Sequence, residues 1–379
     1  MKRRIVHVIP TLDQSGAEKQ LTLLATELAA RGHDVTVAAL TRGGHYEAPL
    51  REAGVRVEII GKNFKVDPFA LARLTKLLKS IKPELVQTWL FAANAYGRVA
   101  ARRAGVPRII ASERCVDSWK SSLEHWVDRK LMPGTDRIVT NSRAVAEFYR
   151  RRGAAPEKLA VIPNAVAAPP AAGETDRAEI ERRLAVPPGA SVIGFIGRLW
   201  RQKRVVDLLI AFDVLRLAEM YVHLAIAGEG PEASALKERA RDLKIAQHVR
   251  FLGHVRTPAA LIERIDLLAL PSDFEGMPNV VLEAMQAGKP VVATRIAGMD
   301  ETVVDGETGI LVPPRMPFEL ARGMRKLLLD PELARRMGEA GRERASQEFS
   351  VARMADAYEA LYESLLASPA ANAPVAGRA

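Results

Sequence analysis

The stretch IDLLALPSDFEGMPNVVLEAMQAGKPVVAT, residues 265–294, decides how this part of the chain folds. Its apolar start, Ile265 to Leu270, predicts a short buried strand, and the prolines and glycine of 271–278 predict the loop that ends it. A helix is expected to begin near Pro278, because proline suits a first turn in which its missing N–H would have no partner. The inward face of this helix is predicted to consist of Val280, Val281, Ala284, Met285 and Ala287, with Gly288 ending the helix.

Two carboxylates mark this unit, Glu275 in the loop and Glu283 in the helix. Parallel sheets bind ligands beyond the carboxyl ends of their strands, where helix N-termini offer free N–H groups and partial positive charge. Glu283 is expected to face the same crevice as Glu275, at a different depth. One carboxylate can then accept hydrogen bonds from hexose hydroxyls and the other from a ribose, with a diphosphate between them on the helix N-terminus. The alternative is that both are solvated surface acids.

The pattern E-x7-E followed by E-A-M-x-x-G-x-P-V-V-A-T closely resembles the signature of glycosyltransferase family 4. These are retaining enzymes with two Rossmann-like domains, the GT-B type. The resemblance implies that Glu275 is a catalytic residue that orients the transferred sugar and that Glu283 binds the nucleotide. It also implies contacts to the substrate from the residues around the start of the helix, namely Gly276, Met277, Asn279 and Val280.

A second block agrees with the first. Residues 191–212, SVIGFIGRLWRQKRVVDLLIAF, resemble the family's strand, G-R-L motif and downstream lysine. Arg198 and Lys203 match the residues that hold the donor diphosphate. Cleavage of a sugar–phosphate bond leaves negative charge on the diphosphate, which guanidinium and ammonium groups stabilise. Arg204 departs from the family by replacing the usual glycine. The alternative for both cations is ordinary surface charge after a strand.

The rest of the chain alternates strands with helices, which predicts an α/β fold. The resemblance implies two Rossmann-like domains facing a central cleft, with a C-terminal helix crossing back to the first domain. We expect an acceptor-binding domain over 1–165, a Pro/Ala-rich linker over 166–175, a nucleotide-sugar-binding domain over 176–348, a crossing helix over 349–367 and a disordered tail over 368–379. Predicted strands are Arg4–Ile9, Val35–Leu40, Val55–Ile60, Leu85–Thr88, Ile109–Ser112 and Arg137–Asn141, then Val192–Gly197, Val222–Ala227, Val249–Phe251, Ile265–Leu270 and Val291–Ala293.

The first domain resembles the family less closely. Residues 13–18, DQSGAE, are similar to its G-G-x-E loop, with Ser15 in place of the first glycine. Gly16 is therefore expected to let backbone amides approach the substrate. The alternative is a plain turn between a strand and a helix.

Trp89 stands where many relatives carry a histidine that lines the acceptor side of the sugar. Ser112-Glu113-Arg114 stands where T-x-H is common, so no histidine is assigned as catalytic. Asn164, in a VIPNAV segment similar to the family's V-I-P-N-G-V, and His254 complete the predicted substrate contacts.

Two motifs point to other chemistry. Residues 228–233, GEGPEA, match the dinucleotide fingerprint G-x-G-x-x-A, but VRFLGHV of 249–255 lacks the acid that would bind an NAD ribose, which argues against an oxidoreductase. Asp273-Phe274-Glu275 mimics a D-x-D metal motif. Since two cations and a helix N-terminus already face the diphosphate, we expect no metal site and no cofactor.

Composition sets further limits. The chain has 379 residues and one cysteine, Cys115, and no apolar run near the roughly 20 residues needed to cross a bilayer. A cytoplasmic protein is therefore expected. Residues 1–165 hold 28 Lys plus Arg against 16 Asp plus Glu, whereas the remainder holds 27 against 29. The basic half is either an anionic-membrane contact, which suits peripheral attachment, or a solvated face.

Together these features predict a retaining glycosyltransferase that moves a hexose from a nucleoside-diphosphate sugar to an acceptor hydroxyl. A basic first half favours a lipid-linked or saccharide acceptor, in polysaccharide, lipopolysaccharide or glycolipid synthesis. No nucleic-acid partner is expected, because the aromatic content is only 5% and is not interleaved with the charges. A nucleotide-sugar epimerase of the same fold and a non-catalytic sugar-nucleotide sensor are the alternatives.

Overall fold

The computed structural model describes residues 2–116, 120–168 and 173–368. The chain divides into two compact units. The first unit holds the residues up to Ala165 together with those from Val351 onward, and the second holds Val166–Ser350. Nearly all of the tail expected over 368–379 lies outside the described residues.

The first unit is a seven-stranded parallel sheet in the order β3-β2-β1-β4-β5-β6-β7. Its strands are β1 Arg4–Thr11, β2 Asp34–Arg42, β3 Arg56–Ile59, β4 Leu85–Trp89, β5 Arg108–Glu113, β6 Arg137–Thr140 and β7 Leu159–Val161. Its helices are α1 Gly16–Ala30, α2 Glu47–Glu52, α3 Pro68–Ile81, α4 Leu90–Ala104, α5 Ser122–Leu131 and α6 Arg143–Arg150, and the C-terminal α14 Val351–Ala367.

The second unit is a six-stranded parallel sheet in the order β10-β9-β8-β11-β12-β13. Its strands are β8 Ser191–Ile196, β9 Val222–Ala227, β10 Val249–Gly253, β11 Leu267–Leu270, β12 Val291–Thr294 and β13 Gly309–Val312. Its helices are α7 Glu174–Leu184, α8 Val205–Leu217, α9 Ala233–Asp242, α10 Pro258–Arg264, α11 Asn279–Gln286, α12 Pro317–Leu329 and α13 Pro331–Glu348.

Each central strand is buried on both faces, which is why its sequence is a continuous apolar run rather than an alternating one. In β9 all six residues are buried, and in β11 all four. Parallel neighbours need crossover connections, and the helices between the strands supply them. As a result the carboxyl ends of all strands in a sheet lie at one edge, where the loops described below are found.

All eleven predicted strands are present, and the predicted α/β class is confirmed. Two strands escaped prediction, β7 and β13, because runs of three and four residues are too short for periodicity to reveal. Residues 169–172 of the linker predicted over 166–175 lie outside the described residues. Helix α7 begins at Glu174, and Val166 already forms a β-bridge with Ser350 in the second unit.

The last helix, α14, packs against α1 in the first unit, as the resemblance implied. Arg31, just after α1, lies 2.6 Å from carboxylate oxygens of both Asp356 and Glu359. His33 Nε2 is 2.7 Å from the Glu359 carboxylate. These contacts attach the C-terminal helix to the unit that begins the chain. No helix of the described residues is long and apolar enough to span a membrane.

Beneath α14 lies a layer of fully buried aromatic and polar groups. His7 in β1 has no exposed surface, and its Nδ1 accepts a hydrogen bond from Trp89 Nε1 at 3.2 Å. Tyr362 donates to the Gln87 side chain, and Tyr358 packs against both Trp89 and Tyr362. Because the imidazole is shut off from water, burial lowers the pKa of His7 to about 3.

His7 should make the stability of the first unit depend on pH. In the unfolded chain histidine has a pKa near 6.5. Between pH 6.5 and about 3, His7 is therefore protonated in the unfolded state and neutral in the folded state. The free energy of unfolding is therefore not reduced by His7 above pH 6.5, and it decreases as the pH falls below that value. Linkage predicts a loss of about 2 kcal/mol between pH 6.5 and pH 5.

The measurement is urea unfolding at pH 7 and pH 5 for the wild type and for His7→Asn. Asparagine keeps an acceptor for Trp89 and does not titrate, so the variant should lose about 2 kcal/mol less between the two pH values. An equal pH dependence in both proteins would show that His7 is not the titrating group.

Candidate functional site

A buried carboxylate stands at the centre of the loop between β11 and α11. Glu275 is only 7% exposed, and its Oε1 accepts hydrogen bonds from Lys203 Nζ at 2.5 Å and from Ser272 Oγ at 2.7 Å. A carboxylate that has lost its hydration needs a cation and hydrogen-bond donors, or its charged form is strongly disfavoured. The structure thus brings together Lys203 and Glu275, two residues singled out from separate sequence blocks.

Two residues that the sequence did not single out hold this pair in place. Gln202 Nε2 donates to the Phe274 carbonyl at 2.6 Å, and the Asp273 N–H donates to the Gln202 carbonyl at 2.8 Å. Thr294 Oγ1 donates to the Ser272 carbonyl at 2.5 Å. The turn at 201–203 and the loop at 272–276 are therefore joined by one backbone hydrogen bond and one from the Gln202 side chain. The motifs assign no role to Gln202 and Thr294, because their partners are main-chain atoms 72 and 22 residues away.

Gly298 lies directly against the backbone of the loop that carries Glu275. Its φ is +91°, and a Cβ there would lie 2.0 Å from the Gly276 carbonyl oxygen. Only glycine fits a left-handed backbone at such close approach. Gly298 is a third residue of the site region that the sequence analysis passed over, although a glycine in the loop after the predicted strand Val291–Ala293 is the signal that could have found it.

Arg198 lies on the exposed turn after β8, with its guanidinium carbon 5.0 Å from the centre of the Trp200 ring. Among the described residues it makes no ion pair, so it is available to an anionic ligand. Lys203, by contrast, is already paired with Glu275. The two predicted diphosphate contacts therefore differ: one is an open cation on the surface and the other is a partly buried cation of fixed orientation.

Arg204 explains why a glycine is usual at its position. It has a left-handed backbone, with φ 50° and ψ 37°, where a residue with a Cβ is strained by about 1 kcal/mol. Its guanidinium donates two hydrogen bonds to Asp207, at 2.9 and 2.8 Å, in the first turn of α8. The chain thus keeps the backbone shape that glycine provides and adds an ion pair to it.

Helix α11 begins at Asn279 after Pro278, close to where the sequence predicted it. Met277 is buried, while Asn279, Val280 and Glu283 are partly exposed. The buried face of α11 consists of Val281, Leu282, Ala284 and Met285. Leu282 therefore belongs to the inward face, whereas Val280 and Ala287 only border it. The placement of Glu275 in the loop and Glu283 within the helix agrees with the prediction, and their roles stay predictions.

The metal-like triplet is engaged in ion pairs. Arg315 donates to both oxygens of Asp273, at 2.9 and 3.0 Å, and Glu275 is paired with Lys203. Within the described ranges no group of three or more His, Cys, Asp or Glu side chains could hold a metal ion. The absence of a metal requirement stays a prediction.

The dinucleotide-like fingerprint has a packing explanation. Gly228 has φ +136°, and a Cβ on it would lie 1.9 Å from the Gly197 carbonyl oxygen. A Cβ on Gly230 would lie 2.2 Å from the Leu199 carbonyl oxygen, and Leu199 N–H donates to the Glu229 carbonyl at 2.8 Å. These glycines let the loop after β9 lie against the loop after β8. They account for the motif without a bound dinucleotide.

In the first unit, Gly16 begins α1 on the surface, immediately after Ser15. Ser15 has an extended backbone, with φ −144°, that any residue adopts, so replacing the family's glycine there introduces no strain. Its hydroxyl donates to the carboxylate of Glu18, which is 4% exposed. Burial raises the pKa of Glu18 above its ordinary value.

Trp89 is fully buried. Its side chain has no exposed surface, because it is enclosed by His7, Tyr358 and the Arg114 guanidinium, whose carbon is 5.2 Å from the ring centre. The predicted contact between Trp89 and the substrate stays a prediction. Arg114 also donates to the side-chain oxygen of Asn164, which is 5% exposed.

His254 is exposed after β10, and its carbonyl lies 3.5 Å from Arg183 Nη2. A cavity of about 570 Å³ opens beside the 201–203 turn and is lined by Trp200, Gln202, Asp273, Phe274 and residues of α9. Neither Lys203 nor Glu275 lines it. The Lys203–Glu275 pair therefore lies outside this cavity.

Known glycosyltransferases resemble this chain along nearly its whole length. A family model described as Glycosyl transferases group 1 matches residues 176–344, and one described as Glycosyltransferase Family 4 matches residues 14–168. A glycogen synthase of Mycobacterium tuberculosis is 30% identical over 392 residues, which cover 93% of this chain and 92% of that protein. A D-inositol 3-phosphate glycosyltransferase of Corynebacterium diphtheriae is 33% identical over 386 residues, covering 92% and 90%.

Solved structures support the fold. The crystal structure of Anabaena HepE in complex with UDP-glucose matches with a TM-score of 0.83 and 22% identity, covering 95% of this chain and 100% of that one. This likeness confirms the GT-B class of two Rossmann-like domains. The identity to the two curated relatives, over nearly their whole length, shows the family. This chain belongs to glycosyltransferase family 4, carries a group 1 domain in its second unit, and is a glycosyltransferase.

Proposed function

We propose that this glycosyltransferase transfers a hexose from a nucleoside-diphosphate sugar to an acceptor hydroxyl, with retention at the anomeric carbon. The observation that carries the proposal is the buried pair of Lys203 and Glu275, 2.5 Å apart in the second unit. It places a cation and a carboxylate side by side, one suited to a diphosphate and the other to sugar hydroxyls. That Anabaena HepE was solved with UDP-glucose supports a nucleotide-sugar donor.

In the proposed reaction the bond between the anomeric carbon and the diphosphate oxygen breaks, and a bond from the acceptor oxygen to the same carbon forms. The acceptor proton moves to the leaving diphosphate, so no protein base is required. Arg198 and Lys203 stabilise the negative charge that grows on the diphosphate, and backbone N–H groups at the start of α11 add to this. Attack and departure take place on one face of the sugar, which retains its configuration.

The two glutamates take separate parts. Glu275 is fixed by Ser272 and Lys203, so its carboxylate can hold the hexose hydroxyls in one orientation. Glu283 lies partly exposed in α11 and accepts the ribose hydroxyls. The reaction needs no divalent ion in this scheme. We propose a lipid-linked or saccharide acceptor, and the relative named glycogen synthase supports a saccharide one.

The first test concerns the two cations. Arg198→Ala and Lys203→Ala should each lower kcat by about 10² to 10³, with a smaller effect on donor binding, because the charge they meet grows in the transition state. Arg201→Ala is a matched control: this neighbouring side chain is 92% exposed and lies 3.6 Å from Glu232. Steady-state kinetics with a panel of nucleoside-diphosphate sugars gives the answer. Wild-type turnover in both variants would remove the diphosphate assignment.

The second test separates the glutamates. Glu283→Ala should weaken binding of the free nucleoside diphosphate, since its proposed partner is the ribose, whereas Glu275→Ala should impair transfer and the choice between hexoses. Titration calorimetry with the nucleotide and product analysis with competing donors measure the two effects. Equal nucleotide affinity in the wild type and Glu283→Ala would contradict the ribose role.

The third test concerns metal. Transfer should continue in excess EDTA, because Arg198, Lys203 and a helix N-terminus already face the leaving group, and Asp273 and Glu275 are held in ion pairs. The rate is measured with and without chelator, and again after adding Mg²⁺ or Mn²⁺. Loss of activity in EDTA with recovery on adding the metal would overturn the metal-free scheme.

A further inference from the structure

Two segments of the first unit expose large apolar side chains to solvent. Phe64, Val66 and Phe69, in the loop after β3 and the first turn of α3, are 70%, 79% and 75% exposed. Leu123 and Trp126, three residues apart on α5, are 66% and 53% exposed. We call these five side chains the apolar patch. Clusters of exposed apolar side chains are uncommon on proteins that work alone in water, so the patch requires an occupant.

The two segments are neighbours in space. Helix α4 packs against both α3 and α5. The Tyr96 hydroxyl of α4 accepts a hydrogen bond from the Asp67 N–H at 2.5 Å, which fixes the loop before α3. The carboxylate of Glu124, which pairs with the N-cap residue Ser121 at the start of α5, interacts electrostatically with Lys65. The pKa of Glu124 is lowered first by the Ser121 backbone N–H and hydroxyl, with Lys65 acting in the same direction.

The charges around the patch are mostly positive. Residues 61–73 and 121–130 contain five Lys or Arg and three Asp or Glu, and two of those acids, Asp67 and Asp128, are buried. Lys130 Nζ lies 5.9 Å from the centre of the Trp126 ring. Aromatic side chains bordered by cations suit the boundary between lipid headgroups and acyl chains, where the ring enters the apolar layer and the cation meets phosphate. The cations within these two segments are Lys62, Lys65, Arg73, Arg129 and Lys130.

We propose that the apolar patch is a membrane-docking surface that inserts its side chains among the headgroups of an anionic bilayer. Both segments follow carboxyl ends of strands, β3 and β5, so they lie at the sheet edge where ligands of such folds bind. Docking there would bring a lipid-linked acceptor to the first unit. The inference goes beyond the transfer reaction, and vesicle binding is measured without any sugar donor.

The run of three arginines at 150–152 is not part of this surface. Glu147 accepts hydrogen bonds from Arg150, at 2.5 and 2.7 Å, and from Arg151, at 2.7 Å. The guanidinium of Arg152 stacks on Phe148, 3.5 Å from its ring centre. These partners reduce the charge that the run offers to a membrane, so it provides a control for charge alone.

The test is co-sedimentation with vesicles of phosphatidylglycerol and phosphatidylcholine, against vesicles of phosphatidylcholine alone. The wild type should bind the anionic vesicles, be released by salt, and show a blue shift of tryptophan fluorescence from Trp126. Phe64→Ser with Phe69→Ser and Trp126→Ser should weaken binding about tenfold or more. Lys62→Glu with Lys65→Glu and Lys130→Glu should weaken binding about 100-fold, because each lysine near an anionic surface contributes about 1 kcal/mol.

Two control variants decide the outcome. Leu217→Ser with Phe318→Ser removes apolar side chains of the second unit that are 77% and 69% exposed, and Arg150→Ser with Arg151→Ser and Arg152→Ser removes the compensated basic run. Both should bind vesicles as the wild type does. Circular dichroism and donor hydrolysis without vesicles should be unchanged in the patch variants, which shows that they fold and separates this inference from the proposed reaction.

Wild-type vesicle binding by the patch variants, or equal binding to neutral vesicles, would overturn the proposal. So would a dimer of the wild type, seen by analytical ultracentrifugation, that the patch variants abolish, since the occupant would then be a second copy of the chain.

Discussion

A buried carboxylate must keep a cation beside it, and the site of the second unit is built around that requirement. Glu275 loses most of its hydration in the loop after β11, and Lys203 and Ser272 replace the lost water with one ion pair and one hydrogen bond. Lys203 comes from the turn after β8, so the pair fixes two loops with respect to each other. Gln202 adds main-chain hydrogen bonds between the same loops.

The close packing of these loops also explains why certain positions require a particular backbone conformation. Gly298 and Gly228 lie so close to carbonyl oxygens that a side chain would collide with them, and both have positive φ. Arg204 occupies a left-handed position without being glycine, and its ion pair with Asp207 accompanies the strain. Loops that approach each other this closely keep their shape when a ligand arrives, which is what an electrostatic catalyst requires.

The first unit is organised around buried packing and not around a charged pair. Buried aromatic and polar groups join its sheet to α14, with Trp89 between His7 and Tyr358. The side chains of this layer contribute to the packing of the protein interior. Its outer surface carries the exposed aromatic side chains of α3 and α5 with lysines beside them. The two units therefore differ: the second holds the Lys203–Glu275 pair, and the first has a buried aromatic layer with an apolar, basic exterior.

The sequence by itself determined the α/β class, eleven of the strands and the residues of the charged centre, because apolar runs and local motifs lie within a few residues of each other. It placed Glu275 in a loop and Glu283 in a helix, and it identified Lys203 and Arg198. Only the tertiary structure decided that Lys203 pairs with Glu275 and that Trp89 is buried. Burial and pairing depend on contacts between residues that are far apart in the sequence, such as Tyr358 and Trp89. A local sequence pattern does not show which distant residues come into contact.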